Sequence, residues 1–171
     1  DMQFIDSTSI NHLMKYISYA SLKELAHKLF LPNDKYIFIY ATGFSAIAAE
    51  YLYKKLLVLG KRCILAQGGD SIGIFENNLD NMELFFVISK SGETRFVLDK
   101  VKTAKENGMQ TAAFTGHGEN SVGRLADLWF QIEDSGKLDD RNMMANTFFP
   151  NVMMLIELMV YEYHRILVRD S

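Results

Sequence analysis

The sequence contains few of the residues that build disulfide-bonded or irregular chains. Among its 171 residues there is one cysteine, Cys63, and there are two prolines. A single cysteine excludes a disulfide within the chain, which is typical of a reducing compartment, and Cys63 lies in an apolar run where a small core residue is expected. The chain shows no internal repeat and no low-complexity segment. Apolar residues make up 49% and charged residues 23%, which predicts one globular domain over residues 1–171.

Long apolar runs and basic patches are absent as well. No stretch of about 18 apolar residues occurs and no signal peptide opens the chain, so we expect a soluble, cytoplasmic protein without a membrane segment. The net charge is −3, from 18 basic and 21 acidic residues. Because the lysines and arginines are scattered and form no basic face, we expect no nucleic-acid binding by this chain itself.

Apolar runs and helical patterns alternate along the chain. Short apolar runs predict five strands, over residues 36–41, 62–66, 84–88, 110–114 and 128–132. Helical patterns predict helices over residues 9–30, 46–59, 93–107, 121–126 and 143–168, with a short one from residue 71. Strands that are apolar throughout and alternate with helices are typical of a parallel sheet covered on both faces. The pattern therefore predicts an α/β domain in three layers, with a doubly wound five-stranded sheet and long terminal helices.

The last predicted helix, over residues 143–168, is apolar on nearly all sides. A helix of this kind is either deeply buried or shared with a partner subunit. A monomer would expose a large apolar patch, which soluble monomers rarely do. We therefore expect a homodimer or tetramer that forms through the terminal helices.

The most informative stretch is ISKSGET, residues 88–94, which follows an apolar run and opens a helical pattern. Backbone N–H groups at the start of a helix are unpaired and carry partial positive charge, so they bind anions, above all phosphate. Ser89, Ser91 and Thr94 add hydroxyl donors, and Gly92 lets the backbone come close. No lysine occupies the position that a nucleotide-binding P-loop uses, which favours a small phosphate monoester over a nucleoside triphosphate.

Two further polar loops follow predicted strands. Thr42-Gly43-Phe44-Ser45 comes after the first strand, and residues 115–121 come after the fourth. In doubly wound sheets, ligands bind beyond the carboxyl ends of the strands, where the strand order reverses. Taken singly, Ser and Thr at such turns are often helix caps, but the three loops together predict one ligand site.

These three loops resemble the sugar isomerase (SIS) domain. The matching residues are Gly43-x-Ser45, Ser89-x-Ser91-Gly92-x-Thr94 and Thr115-x5-Ser121, and the resemblance covers about residues 9–168. Residues 108–127, with Leu125-Ala126-Asp127 before the last strand, are most similar to the effector domain of RpiR-type transcription regulators. Those regulators carry an N-terminal helix-turn-helix domain. Because this chain begins with Asp1 and not Met, we expect that domain to be missing from it.

The resemblance implies a flavodoxin-like sheet and a phosphorylated sugar as ligand, without a cofactor. It implies that Ser89, Ser91 and Thr94 hold the phosphate and that Gly43 and Ser45 line the sugar side. Gly92, Glu93 and Thr115 complete the ligand-binding set that we predict. DNA would be bound only through the helix-turn-helix domain. The fourth loop departs from the family pattern, because Gly116-His117-Gly118-Glu119 stands where members often carry Asn or Asp-Pro.

An aldose–ketose isomerase needs a base beside the carbonyl and an acid that opens the ring. The candidates are Glu93, His117, Glu119, Asp70 and Glu76. An acidic residue in the first turn of a helix is favourable in any protein, and a histidine between glycines is commonly a surface residue. Because no carboxylate–histidine pair is fixed by spacing, we prefer a non-catalytic sugar-phosphate sensor, the ligand domain of a regulator. The alternative is a phosphosugar isomerase, with Glu93 and His117 as its catalytic candidates.

Two other kinds of site do not fit the sequence. A dinucleotide site needs three glycines after the first strand and an acidic residue after the second, where this chain has Gly43 and then Gln67. No cluster of residues has the spacing of metal ligands, so no metal is predicted.

Overall fold

The computed structural model describes residues 10–32, 34–68 and 71–171. The helices are α1 Ile10–Leu13, α2 Tyr19–Lys28, α3 Ser45–Val58, α4 Ser71–Asn78, α5 Arg95–Glu106, α6 Ser121–Leu125 and α7 Phe148–Asp170. The strands are β1 Tyr36–Ala41, β2 Cys63–Gln67, β3 Met82–Ser89, β4 Gln110–Gly116 and β5 Leu128–Ile132. A 3₁₀ turn, Leu79–Asn81, leads into β3.

All five strands are parallel and lie in the order β2-β1-β3-β4-β5. The chain moves from β1 outward to β2, then crosses back to β3 on the other side of β1. The α/β class and the doubly wound sheet are thereby confirmed. Pairing aligns Ala41 with Ile88, and Ser89 with Thr115, so the carboxyl ends of β1, β3 and β4 lie side by side.

Each face of the sheet is covered by its own apolar core. On one face, side chains such as Ile39, Phe86 and Phe114 pack against α2, α3 and α7. On the other, Phe38 and Phe85 pack against the layer that contains α4, α5 and α6. Because neighbouring residues of a strand point to opposite faces, burial of both faces requires strands that are apolar throughout. This explains why β1 and residues 84–88 of β3 were visible as continuous apolar runs.

The predicted N-terminal helix over residues 9–30 is wrong within the described range, where α1 and α2 are separate helices. Ser18 lies between them in an extended conformation. Its hydroxyl oxygen accepts a hydrogen bond from the backbone N–H of Ser21 at 3.0 Å and so caps α2. In an uninterrupted helix the N–H of Ser21 would pair with a backbone carbonyl. Here the Ser18 side chain pairs with it instead, so a new helix starts after Ser18.

The final helix begins at Phe148 and not at residue 143. Pro150 explains the difference, because proline lacks an N–H and fits only the first turn of a helix. Met143 and Met144, which we had placed in that helix, lie before it with 77% and 72% of their surface exposed. The other predicted elements differ from the structure only at their ends.

Helix α7 is held to the rest of the domain by polar contacts as well as by its apolar side. The hydroxyl of Tyr19 on α2 donates to the buried carboxylate of Glu162, and Arg165 contacts both groups. The hydroxyl of Tyr51 on α3 donates to Glu157, which also pairs with Lys55. No helix in the described part of the chain is long and apolar enough to cross a membrane.

Candidate functional site

A cavity of about 550 Å³ opens at the carboxyl ends of the strands, next to the β1–β3 pair where the strand order reverses. Doubly wound sheets bind ligands at this position. The lining residues come from the loops after β1, β3 and β4 and from the segment between β5 and α7. They are Thr42, Gly43, Phe44, Ser45, Ser89, Lys90, Ser91, Thr94, Gly116, His117, Gly118, Glu119, Asn120, Lys137, Leu138, Asp140, Asn142 and Phe149.

The loop over residues 89–94, here called the phosphate loop, brings its three hydroxyl side chains to the cavity. Ser89 is buried, and its Oγ accepts a hydrogen bond from the N–H of Gly92 at 3.1 Å. Ser91 Oγ accepts one from the N–H of Glu93 at 3.1 Å. Thr94 Oγ1 lies 3.4 Å from Ser89 Oγ. The side chains that were predicted to hold a phosphate therefore converge in space at the beginning of α5.

Thr94 occupies the N-cap position of α5, but its side chain makes no capping hydrogen bond among the described residues. Helix capping is the ordinary reason for a threonine at this position. Since the Thr94 hydroxyl faces the cavity instead, capping does not account for it. The hydroxyl lies at the cavity beside the N-terminus of α5, where unpaired backbone N–H groups favour negative charge.

Gly43 and Ser45 also line the cavity, whereas Gly92, Glu93 and Thr115 are not among its described lining residues. The assignment of Gly43 and Ser45 to the sugar side stays a prediction. The carboxylate of Glu93 accepts hydrogen bonds from the backbone N–H of Ser121 at 2.8 Å and from its hydroxyl at 2.7 Å. These bonds lower the pKa of Glu93. Glu93 therefore precedes its own helix and caps α6, a structural role for an acid at a helix N-terminus.

Thr115 is completely buried below the loop that follows β4. Its Oγ1 accepts hydrogen bonds from Asn120 Nδ2 at 2.9 Å and from Trp129 Nε1 at 2.8 Å, and it donates to the carbonyl of Gly116 at 3.0 Å. One donor and two acceptor positions are all that a hydroxyl offers. The hydrogen bonds of Thr115 thus fix the shape of this loop, and its role as a direct ligand contact stays a prediction.

His117 and Glu119 are the two isomerase candidates that the structure brings to the cavity. The ring of His117 stacks on Tyr16, with centroids 4.9 Å apart and 6° between the planes. Its Nδ1 is buried and has no hydrogen-bond partner among the described residues. Glu119 is exposed and pairs with Arg124 at 3.2 Å. Glu76 lies on α4 and is not among the described residues that line the cavity.

Asp70, the remaining candidate base, lies outside the described residues. Within the described ranges, no three His, Cys, Asp or Glu side chains are grouped so that they could hold a metal ion.

Lys90 and the segment over residues 136–142 were missed by the sequence reasoning. Lys90 stands inside the most informative motif, between Ser89 and Ser91, but not at the position of a P-loop lysine. Its Nζ donates to the carbonyl oxygens of Gly136 at 2.9 Å and Asp139 at 3.2 Å, and lies 3.5 Å from Oδ1 of Asn142. The presence of a lysine in the motif was the one signal that could have pointed to this contact.

Asp134 supplies the negative charge beside Lys90. Its carboxylate is buried, lies 3.8 Å from the ammonium and accepts a hydrogen bond from the N–H of Gly136 at 2.8 Å. Burial raises the pKa of Asp134, while that hydrogen bond and the charge of Lys90 act in the opposite direction. Lys90, Asp134 and the segment 136–142 form one connected group at the cavity.

Comparison with known proteins finds one matching domain model and several similar proteins. The SIS domain model matches residues 30–161. An uncharacterized HTH-type transcriptional regulator of Clostridium perfringens is 28% identical over 95 residues, which cover 56% of this chain and 34% of the relative. The isomerizing glutamine–fructose-6-phosphate aminotransferase of Helicobacter pylori is 29% identical over 133 residues, 76% of this chain and 21% of the enzyme. The chain thus spans only about a third or less of the length of these relatives.

Solved structures share the fold at low identity. The Vibrio vulnificus NanR protein, complexed with ManNAc-6P, superposes with a TM-score of 0.75 at 19% identity, over 95% of this chain and 62% of that one. The sugar isomerase domain of an RpiR transcription factor from Sphaerobacter thermophilus gives a TM-score of 0.76 at 18% identity, over 96% and 89%. At such identities, the likeness establishes the fold alone.

Proposed function

The chain belongs to the SIS domain family, and from this premise we propose that it is the phosphosugar-binding sensor domain of a transcription regulator. Two kinds of relative support the proposal. The regulator of Clostridium perfringens is a helix-turn-helix protein of which this chain matches a part. NanR has the same fold and was solved with a sugar phosphate.

The observation that carries the proposal is the convergence of Ser89, Ser91 and Thr94 on the cavity at the N-terminus of α5. A phosphate there would accept hydrogen bonds from the hydroxyls and meet the positive end of the helix dipole. Each hydrogen bond to a charged group contributes roughly 1.5–3 kcal/mol. The whole cavity has a volume of about 550 Å³, which lies in the range typical of small-molecule sites and leaves room for a monosaccharide beside the phosphate.

The hydrogen bonds and the lowered pKa of Glu93 argue against its use as a catalytic base. Glu93 is occupied by Ser121 and its pKa is lowered, whereas a general base works best with a pKa near the operating pH. The alternative function is a phosphosugar isomerase. It is favoured by His117, a cavity-lining residue whose Nδ1 has no hydrogen-bond partner within the described part of the chain, and by the likeness to an isomerizing aminotransferase.

We further propose that the domain acts as a homodimer or tetramer and contacts DNA only through a separate helix-turn-helix domain. The net charge of −3 gives this chain no electrostatic attraction to phosphate backbones. The terminal helix α7 carries strongly exposed apolar side chains, including Tyr161 at 60% and Val168 at 77%. A second subunit would cover such side chains. The cytoplasmic location stays a prediction.

A thermal-shift screen tests the proposal. Hexose, amino-sugar and pentose phosphates would be compared pairwise with the same sugars without phosphate. At a concentration 100 times Kd, a ligand stabilises the folded state by about 2.7 kcal/mol, so at least one phosphate should raise Tm and its unphosphorylated partner should not. If no sugar phosphate raises Tm, the proposed function is wrong. NMR of each bound sugar phosphate at millimolar concentration would reveal isomerisation, which would favour the alternative.

A further inference from the structure

The segment over residues 136–142 lies between β5 and α7 and contributes Lys137, Leu138, Asp140 and Asn142 to the cavity. We infer that this segment recognises the sugar part of the ligand and that Lys90 is the residue that positions it. The inference rests on the proposed function and adds to it, because it separates the groups that select the sugar from those that hold the phosphate.

The Lys90 ammonium lines the cavity, but its hydrogen bonds are directed to the segment 136–142. An ammonium group has three N–H donors. Among the described residues, three oxygens lie within 3.5 Å of its Nζ, those of Gly136, Asp139 and Asn142, at 2.9, 3.2 and 3.5 Å. Although Lys90 stands between Ser89 and Ser91 in the sequence, its hydrogen bonds go to the segment 136–142. It therefore links the phosphate loop to that segment.

The segment is held in one shape by further internal hydrogen bonds. The N–H of Asp139 donates to Gly136 O at 2.9 Å, and the N–H of Asn142 donates to Asp139 O at 3.2 Å. The Asp139 carboxylate accepts from the N–H of Met144 at 2.7 Å, which is the main reason why its pKa is lowered. Lys137 donates to the carbonyl of His117 at 2.6 Å and so ties the segment to the loop after β4.

Asn142, the last residue of this segment, has an unusual backbone conformation. Among the described residues, it alone is a non-glycine residue with positive φ, at 53°. Such a conformation is uncommon outside glycine, though asparagine tolerates it better than most residues, and it persists where surrounding contacts hold it. The contacts here are the hydrogen bonds to Asp139 and Lys90, and they keep the Asn142 amide at the cavity surface.

Asp140 and Asn142 suit a polyhydroxylated ligand. A carboxylate accepts hydrogen bonds from hydroxyl or amino groups, and an amide both donates and accepts. The Asp140 carboxylate would repel an anionic phosphate, and the Asn142 amide carries no positive charge to attract one. The chemistry at this part of the cavity therefore fits a sugar ring or chain whose phosphate lies in the phosphate loop.

The test compares affinities for four probes: inorganic phosphate, glucose 6-phosphate, glucosamine 6-phosphate and ribose 5-phosphate. The variants are Asp140→Asn, Asn142→Gly and Lys90→Met. Asp140 is exposed, so its substitution leaves the core intact, and glycine retains the positive φ of residue 142. Asp170→Asn, a change of another exposed carboxylate at the end of α7, is the matched control.

We expect each of the three variants to lower the affinity for the best-bound sugar phosphate at least fivefold and to change the order of affinity of the three sugar phosphates. Affinity for inorganic phosphate should stay within about twofold, and the Asp170→Asn control should match the wild type throughout. If Lys90→Met lost affinity for inorganic phosphate and for the sugar phosphates by the same factor, Lys90 would be shown to bind phosphate directly, and the inference would be overturned. An unchanged sugar ranking in Asp140→Asn and Asn142→Gly would also overturn it. Failure of the wild type to bind any sugar phosphate would instead refute the proposed function itself.

Discussion

Gly92 and Asn120 are packed so closely that a Cβ atom on Gly92 would overlap the side-chain amide of Asn120 and lie 2.7 Å from its Cβ. Gly92 also has a φ of +66°. The Asn120 amide is buried, and it binds Thr115 and caps α6 through the N–H of Gly123. The glycine of the phosphate loop is therefore required for contact between two loops, whereas the sequence had suggested only close approach of a ligand.

Gly92→Ala should destabilise the domain. A left-handed alanine costs roughly 1–2 kcal/mol, and overpacking adds about 1–3 kcal/mol. Urea unfolding should therefore show a lower midpoint with a free-energy loss of at least about 2 kcal/mol. Gly73→Ala is the matched control, because a Cβ there meets nothing within 4 Å and residue 73 lies within α4; it should be neutral or stabilising. A Gly92→Ala variant as stable as the wild type would contradict the packing described.

Ser91→Ala should weaken sugar-phosphate binding by about 10- to 150-fold, since a hydrogen bond to a charged group contributes roughly 1.5–3 kcal/mol. Ser91 is exposed, and within the described ranges its Oγ has one partner, the N–H of Glu93, so the fold should be retained. Calorimetric titration measures the effect. Thr103→Ala removes a hydroxyl from the same helix α5 at a distance from the phosphate loop and should bind as the wild type does. Unchanged affinity in Ser91→Ala would remove this residue from the phosphate site.

Glu93→Gln should destabilise the domain at neutral pH but much less in acid. The pKa of Glu93 is lowered on folding, chiefly by the hydrogen bonds from Ser121. A group with a lowered folded-state pKa stabilises the protein above its unfolded-state pKa, and that stabilisation is lost as pH falls through the folded-state value. The Tm difference between wild type and variant should therefore be largest near pH 7 and shrink below about pH 4. A difference that is equal at both pH values would show that the carboxylate charge is unimportant there.

Cys63 should react slowly with thiol reagents in the folded protein. The residue is half-buried, and burial raises the pKa of its thiol to about 12. The thiolate is the reactive form, so at pH 8 reaction with a disulfide reagent should be at least about a hundredfold slower than in guanidinium chloride. The unfolded chain serves as its own control, because it contains the same single cysteine. A native rate within tenfold of the unfolded rate would contradict the burial of the thiol.

Much of the fold could be predicted because burial on both faces of the sheet leaves a direct trace in the sequence. The bounds of β1 and β5 were predicted to the residue. β1 is an uninterrupted apolar run between polar residues, and β5 is apolar except for Gln131 and is flanked by Asp127 and Glu133. The breaks at Ser18 and before Pro150 were not predicted. Both depend on which backbone donors a single residue satisfies or lacks, and apolar periodicity does not record this.

The site was predictable only in part. The loops after β1, β3 and β4 converge because parallel strands end at one edge, so topology alone brings Ser45, Ser89 and His117 to one cavity. The links from Lys90 to residues 136–142 and from Glu93 to Ser121 join positions far apart in sequence. No local pattern encodes such pairs, because they depend on how side chains meet after the loops have folded.

Trp129, the sole tryptophan of the sequence, gives the protein an intrinsic optical reporter. Its Nε1 donates to Thr115 Oγ1 at 2.8 Å, and its ring lies against Gly123 at the beginning of α6. Indole fluorescence responds to the loss of a hydrogen bond and to the polarity around the ring. The emission spectrum of the unlabelled protein therefore follows the conformation of the loop that carries His117 and Asn120, so that movement of this loop in a titration can be watched in real time.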